Sequence, residues 1–413
     1  MAPTLEEQIA LFIESNTEEL IELRRWFHQH PETSFEEFKT SQYIQNYLKK
    51  IGVTNIKTVA GTGVVCEIGA GGLTHGARFN IDGLPIKEEN EISFRSIYDG
   101  YSHSCGHDFE VAWGLMTAKY FQENKPNGTL RLIFQPAEEG PGKEAHGKTG
   151  GQVLAELGAF DIDSVMSLHV EPELDLGSMS IIDGEVTCSA FDFDFILHGK
   201  TCHAAKPYQG KNPIPFAVKL VNDIYLLQEQ IKSEILKDEE FVLISVSNLS
   251  TRLQLDKPDK EETLNTIPEY AIFKGISRVR SKEIKEKLVN GLKELAKRYT
   301  KLMNGDASTV LFDCKLNIRQ VAVATINDKR CTDNAIATAK ENNLKIISKR
   351  TTWRDDAGWA SERAPSVHAF VGIYDGIFTA LHSPTFNPNE KGLAIGLEMF
   401  LGTLEKNFHS FIK

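Results

Sequence analysis

The stretch Thr129-Leu-Arg-Leu-Ile-Phe-Gln-Pro-Ala-Glu-Glu-Gly140 decides the fold, because an apolar run of strand length leads straight into two adjacent carboxylates. Residues Thr129–Phe134 read as a buried strand. Upstream, Val64–Ile68 and Ala77–Ile81 are short β-type runs and Phe109–Phe121 has helical apolar spacing. Downstream, Thr149–Leu157 reads as a helix and Val165–His169 as another strand. This βαβ alternation predicts an α/β fold, a mostly parallel or mixed sheet covered by helices. Two helical patterns, Glu6–Gln29 and Glu36–Lys50, precede it and break at His30-Pro31, since the residue before proline is pushed out of helical geometry.

A second αβ set begins after Thr187. Phe191–Leu197 alternates as a half-buried strand, Pro213–Gln230 is helical, Phe241–Ser247 and Tyr270–Ser277 are strands, Lys282–Leu302 is a charged amphipathic helix, and Thr309–Asp313 is a last strand. That βαββαβ order describes a four-stranded sheet with two helices on one face. It is self-contained and reads as an insertion with its own core. The expected boundaries are 1–188 and 318–413 for the first domain and 189–317 for the inserted one. A chain of 413 residues exceeds one ordinary hydrophobic core, which agrees with two domains.

The balance of 46 Lys plus Arg against 57 Asp plus Glu gives a net charge of −11, which repels phosphate backbones and argues against a nucleic-acid partner. The opening Met-Ala-Pro-Thr-Leu-Glu-Glu carries acid where a secretory signal needs base, and no apolar run approaches the roughly 18 residues of a membrane span. Six scattered cysteines show neither zinc-ribbon spacing nor disulfide density, and they read as reduced thiols. The expectation is a cytoplasmic protein without a membrane partner.

The residues able to do chemistry fall at strand ends or in polar loops, where ligands of open α/β sheets sit. In Ser102-His-Ser-Cys-Gly-His-Asp108, Gly106 allows a turn that can aim the Cys105 thiolate and the His107 imidazole at one ion. A buried loop with a packed cysteine is the other reading. Glu138 and Glu139 are costly to leave unpaired beside a core strand, so a cation belongs near them. Adjacent residues project differently, so one glutamate can bind metal while the other serves a water as general base. His169 ends the strand Val165–His169, and His382 lies in Ala380-Leu-His-Ser-Pro-Thr385. Each taken alone is either a ligand or a structural histidine. Asp82, in Asn80-Ile-Asp-Gly-Leu-Pro85, either orients a ligand imidazole or caps the next turn.

In this order the pieces resemble the aminoacylase and carboxypeptidase clan of co-catalytic metallopeptidases, in its branch of hippurate hydrolases, N-acetyldiaminopimelate deacetylases and auxin-conjugate hydrolases. The segment Arg25-Trp-Phe-His-Gln-His-Pro-Glu32 is similar to that branch's R-x-x-H-x-x-P-E, Asp82-Gly-Leu-Pro-Ile86 to D-A-L-P-I, and His103-Ser-Cys-Gly-His-Asp108 to H-A-C-G-H-D. Further along, Gln135–Gly140 matches Q-P-A-E-E-G, Gly199-Lys-Thr-Cys-His-Ala-Ala205 resembles G-x-x-x-H-A-A, Asn265-Thr-Ile-Pro268 resembles N-x-I-P, and Leu381-His-Ser-Pro384 matches L-H-S-P. The resemblance implies two divalent ions per subunit, zinc, manganese, nickel or cobalt. Cys105 would bridge them, with Glu139 and His382 on one and His107 and His169 on the other. Glu138 would be the general base and Asp82 a support for the ligands. Residues 1–188 and 318–413 would form the catalytic domain, and 189–317 a lid through which two copies pair as a homodimer. His203 would reach into the partner's active site to stabilise the tetrahedral intermediate, while Asn265 and Arg278 hold the substrate.

The implied reaction is hydrolysis of the amide of an N-acyl or N-aroyl amino acid, a small-molecule substrate. The alternatives are a dipeptidase or aminopeptidase, or a dimer that binds metal and ligand without turnover. The branch pattern C-G-H-D-x-H is broken by Glu110, D-x-D-A-L-P by Asn80, and the E-D-F segment by Arg354-Asp-Asp-Ala-Gly-Trp359. The charge of Glu110 near a pair of dications could strengthen metal binding, and the loss of an acid at Asn80 could offset it.

Overall fold

A computed structural model describes residues 3–140, 147–235, 241–254, 264–305 and 311–411. The chain divides into two compact units, one of Met1–Val186, Thr325–Thr351 and Asp355–Lys413, the other of Thr187–Ala324 with Thr352–Arg354. The first unit opens with α1 (Leu5–Gln29), α2 (Phe38–Lys50), β1 (Asn55–Val59), β2 (Gly63–Gly69) and β3 (Thr74–Asn80). It continues with α3 (His107–Glu123), β4 (Thr129–Gln135), α4 (Gly150–Glu156), β5 (Ser164–Asp175), β6 (Ser178–Ser180) and β7 (Gly184–Glu185). In the second unit come β8 (Ser189–His198), β9 (Cys202–His203), α5 (Ile214–Glu234), β10 (Val242–Arg252), β11 (Thr266–Ile267), β12 (Tyr270–Val279), α6 (Lys282–Asn304) and β13 (Asp313–Ala322). The chain then returns to the first unit with β14 (Ile326–Asn327), α7 (Lys329–Glu341), β15 (Lys345–Ile347), α8 (Ala357–Ser361), β16 (Ser366–Tyr374) and α9 (Lys391–Ser410).

The first unit is built on an eight-stranded mixed sheet in the order β1-β2-β4-β3-β5-β16-β6-β15. Its centre is parallel, β3 running with β4 and β5, and β5 with β16. That is the mixed α/β architecture expected from the alternation of periods. The strand Thr129–Phe134 is buried from Leu132 onward because β4 lies between two other strands, while Arg131 stays half-buried and pairs with Glu67 of β2. Helix α3 packs against β3 and also against α1 and α9, which leaves it buried almost all round. The parallel strands end on the side where Asp82 follows β3 and Glu138 follows β4, the end of an open sheet at which ligands bind.

The second unit is a sheet in the order β10-β12-β8-β13, every pair antiparallel. Phe191, Phe193, Phe195 and Leu197 alternate inward from β8 and share one core with Leu220 and Ile224 of α5 and Leu288 and Leu292 of α6. The last strand is not Thr309–Asp313 but Asp313–Ala322, and residues 306–310 lie outside the described ones. It runs through residues 317–318, where the domain boundary was expected. Its polar face accounts for the miss: Asn317 donates to Asp194 at 2.7 Å and Arg319 pairs with Asp192, a ladder of cross-strand contacts that carries little apolar signal. Among the described residues no helix is long and apolar enough to cross a membrane.

Buried His75 in β3 gives the first unit a measurable acid sensitivity. Its Nδ1 lies 2.7 Å from Ser164 Oγ, the edges of Phe408 and Phe411 close around it, and burial lowers its pKa to about 4. The unfolded chain therefore binds a proton that the folded one refuses, and this part of the stability is lost as pH falls from about 6.5 to 4. His75→Phe keeps the aromatic packing, and Ser164 Oγ keeps Asn407 as a donor at 3.3 Å. In urea titrations of metal-stripped protein, the variant should gain on the parent by on the order of 2 kcal/mol across that window. An unchanged difference at pH 7 and pH 4.5 would contradict the assignment.

Candidate functional site

Four segments of the first unit bring their polar ends together, and three of them turn through left-handed backbone at the critical residue. Gly106 (φ 84) separates Cys105 from the first residue of α3, His107, and a Cβ there would meet Val170 Cγ2 at 2.4 Å. Only glycine fits that turn. Ala137 (φ 51) precedes the carboxylate pair, and His382 (φ 61) holds its place through its own N–H, which donates to the Ser104 carbonyl at 2.7 Å. Non-glycine residues in this region are uncommon and cluster where surrounding structure over-determines them. At Ala137 the fixing partner is Glu37, whose carboxylate accepts from the Ala137 N–H at 2.8 Å. Burial, and then the nearby Asp82 carboxylate, raise Glu37 to about 8.

Donor atoms of Cys105, His107 and His169 lie within 4.8 Å of one another, as do those of Cys105, Glu139 and His382, and those of His107, Glu138 and Glu139. All six sequence-derived candidates of this unit for metal and base thus meet in one place, and Cys105 belongs to two of the sets. The two deeper imidazoles have fixed tautomers. His107 Nδ1 faces the Asp82 backbone carbonyl at 2.8 Å and the Asp82 carboxylate at 3.2 Å, and His169 Nδ1 faces the Val170 carbonyl at 2.7 Å. A carbonyl can only accept, so both Nδ1 atoms donate and both Nε2 atoms present lone pairs in the neutral rings. Among the described residues His107 Nε2 is buried with no nitrogen or oxygen partner, and His169 Nε2 lies 3.4 Å from Cys105 Sγ. On the outer side His382 Nε2 is 3.1 Å from Glu139 Oε1.

The electrostatics suit a cation. Burial, and then the Glu139 carboxylate, push the Cys105 thiol well above its ordinary range, so a thiolate here requires positive charge beside it. Burial works against a charged His107, yet Cys105 and Asp82 outweigh it and raise the ring well above the usual histidine range. His169, lowered to about 4 by burial and then by His107, stays neutral. Burial favours the protonated acid at Asp82 and Glu139, but hydrogen bonds from His107 and His382 respectively hold them low. Asp82 Oδ2 further accepts from Ser34 Oγ and from the Glu139 N–H, both at 3.0 Å. A soft sulfur, two imidazoles and carboxylates on separate segments form a donor set that suits divalent transition ions.

His169 does not end its strand, because β5 runs on to Asp175. Pro172 sits where the pairing with β16 slips between Gly372 and Tyr374, so a proline inside the run marks an irregularity rather than a loop. His203 and Asn265 belong to the second unit and are neighbours there: β9 pairs with β11 through His203 and Thr266, and the Asn265 carbonyl accepts from the Ala204 N–H at 2.8 Å. The His203 and Asn265 side chains are exposed. Arg278 lies apart from them on β12, opposite Ala190 and Leu243, where burial and then Arg354 lower its pKa.

Asn80 and Glu110, taken from sequence as two separate irregularities, are one hydrogen-bonded pair. Glu110 accepts from the Asn80 N–H at 2.8 Å and from its side-chain amide at 3.3 Å, while Asn80 Oδ1 accepts from Arg78 at 2.6 Å. Burial raises Glu110 to about 7, with His107 and Arg78 working against the rise. Arg78 also donates to Gln135 Oε1 at 2.6 Å and to Asp355 at 3.0 Å, and it is fully buried. Sequence reading missed Glu37, Arg78, Gln135 and the roles of Asp355 and Asp356. Glu36-Glu37 was a usable signal for the first, an acidic pair of the same kind as Glu138-Glu139.

The chain is similar to known proteins over most of its length. The family model for peptidase family M20/M25/M40 matches residues 76–406. An N-acetyldiaminopimelate deacetylase of Enterococcus faecalis is 28% identical over 94% of this chain and 97% of its own length. An N-acetyl-L-cysteine deacetylase of Bacillus subtilis is 29% identical over 94% of this chain and 88% of its own. Among solved structures, a Bacillus subtilis protein described as a dinuclear metal binding peptidase from the M20 family superposes with a TM-score of 0.76 at 23% identity, covering 96% of this chain and all of that one.

Proposed function

The chain belongs to peptidase family M20/M25/M40 and is a hydrolase, and from that premise we propose that it cleaves the amide bond of an N-acyl amino acid with the help of two divalent ions. The observation that carries this reading is the pair of donor sets that share the Cys105 sulfur. The deacetylase relatives support the acyl amino acid as the substrate class, and the dinuclear structural neighbour supports two ions. Cys105, shared by two of the donor sets, would hold the ions together with His107 and His169 on its inner side and Glu139 and His382 on its outer side. Such ions would supply Lewis acidity and bring the pKa of water toward neutrality.

The chain's own groups do the rest. Glu138 takes the proton of the attacking water and returns it to the departing amine, so that a poor leaving group departs neutral. Asp82 fixes the His107 ring through its carbonyl and carboxylate, which keeps Nε2 aimed at the ion. In the second unit Asn265 and Arg278 help hold the substrate. His203, whose side chain is exposed, is contributed by a partner copy to the tetrahedral intermediate. A homodimer paired through this unit is supported by β10, an edge strand that leaves Leu243 and Leu249 exposed. Six free cysteines support a cytoplasmic setting.

A panel of N-acetyl and N-benzoyl amino acids beside simple dipeptides tests the reading. Amine should be released from acyl amino acids, stop after chelation, and resume on adding zinc, manganese, nickel or cobalt. A metal-loaded dimer that cleaves no member of the panel would be a binding protein instead. Cleavage confined to the dipeptides would make it a peptidase.

A further inference from the structure

We propose that Asp356 is a positioning residue for Glu138, acting through its own backbone N–H while its carboxylate clamps the loop that carries it. Asp356 N–H donates to Glu138 Oε1 at 3.3 Å. The Asp356 side chain is fully buried and accepts from three donors: Thr149 Oγ1 at 3.0 Å, the Gly151 N–H at 2.9 Å and Gln135 Nε2 at 3.0 Å. Those donors come from the start of α4 and from the last residue of β4, three residues before Glu138. A Cβ on Gly151 would stand 2.8 Å from Asp356 Cβ, so the clamp closes with no room to shift.

Behind it stands a rigid backing. Gln135 is itself held by Arg78 Nε, and Arg78 reaches Asp355 and Asn80, which in turn is tied to Glu110. The segment that diverges most from the family pattern, Arg354–Trp359, is therefore anchored from the sheet on which the carboxylate pair is mounted. A general base must meet its water within hydrogen-bond reach, and small misplacements are costly in rate. The Asp356 N–H fixes one oxygen of Glu138 and with it the plane of the carboxylate. The assignment rests on Glu138 being the general base.

The test is steady-state kinetics, with metal content, on an N-acyl amino acid that the parent hydrolyses. Asp356→Ala should lower kcat by about 10- to 100-fold with KM and bound metal unchanged. Asp356→Asn should restore most of that kcat. Turned end for end, its oxygen can accept from Gly151 and Gln135 and its amide can donate to the Thr149 hydroxyl, so placement survives while charge is lost. A parental kcat in Asp356→Ala overturns the assignment, and so does an Asp356→Asn as slow as the alanine variant, which would make charge the active property. Should the alanine variant not fold, Thr149→Val decides. It removes one of the three clamping donors and should lower kcat at constant KM; an unchanged kcat overturns the proposal. Glu138→Gln measured beside them separates the two ideas. An active Glu138→Gln removes the general-base reading itself, whereas an inactive one beside a fully active Asp356→Ala removes only the role of Asp356.

Discussion

Glu138→Gln is expected to give a folded, metal-loaded protein whose kcat on an N-acyl amino acid is lower by about 10²- to 10⁴-fold, the range that a general base contributes. The substitution is nearly isosteric and keeps an oxygen to accept the Asp356 N–H, so the loop after β4 has no reason to move. What it loses is basicity. Glu138 is buried and lies in a donor set with His107 and Glu139, yet in the proposed arrangement it is not needed to hold an ion. Metal content should therefore stay at the parental value while turnover collapses. The opposite pattern, metal lost with residual activity restored by excess ion, would make Glu138 a ligand and move the base elsewhere.

Why the site was largely legible in sequence, and its support was not, follows from distance along the chain. Cys105, His107, Glu138 and Glu139 lie in short runs with abrupt changes of period, and their chemistry is visible in one window. The strands that present them were readable for a related reason: a strand flanked on both edges, such as β4, carries the apolar run Leu132-Ile-Phe134, and β8 must alternate because only one face is covered. Edge strands escape this logic. Asn55–Val59 pairs only with β2 and is exposed or half-buried along its length, so no apolar pattern announces it. The supporting network escapes it altogether. Arg78 meets Asp355 across 277 positions, and nothing local in Arg78-Phe-Asn80 says that the guanidinium turns inward and is satisfied by Gln135, Asn80 and Asp355. Glu110 illustrates the cost. Read alone it was a stray charge that could act on the metals, whereas in the fold it accepts two hydrogen bonds from Asn80, and the two unusual residues answer one another.

Cys105→Ala should do more damage to metal binding than any other single change. The sulfur belongs to both outer and inner donor sets, so in the proposed arrangement its removal would take a ligand from each ion and leave His107 and His169 on one side and Glu139 and His382 on the other without a shared atom. Losing a residue that merely orients a ligand weakens affinity by roughly 10- to 100-fold, and losing the bridge should exceed that for at least one ion. The expected protein carries at most one ion per chain after dialysis and has turnover near background. The pH dependence of uptake provides an independent reading. A thiol must shed its proton before it ligates, and burial together with Glu139 makes that proton hard to lose without a cation. Metal affinity of the parent should therefore tighten as pH rises, with a proton released for the sulfur, and the alanine variant should show a shallower slope. Metal titrations in a weakly buffered indicator solution measure both quantities at once. Two ions retained with full activity would show that Cys105 is only a packed thiol beside the helix, and the centre would have to be rebuilt around the carboxylates and imidazoles alone.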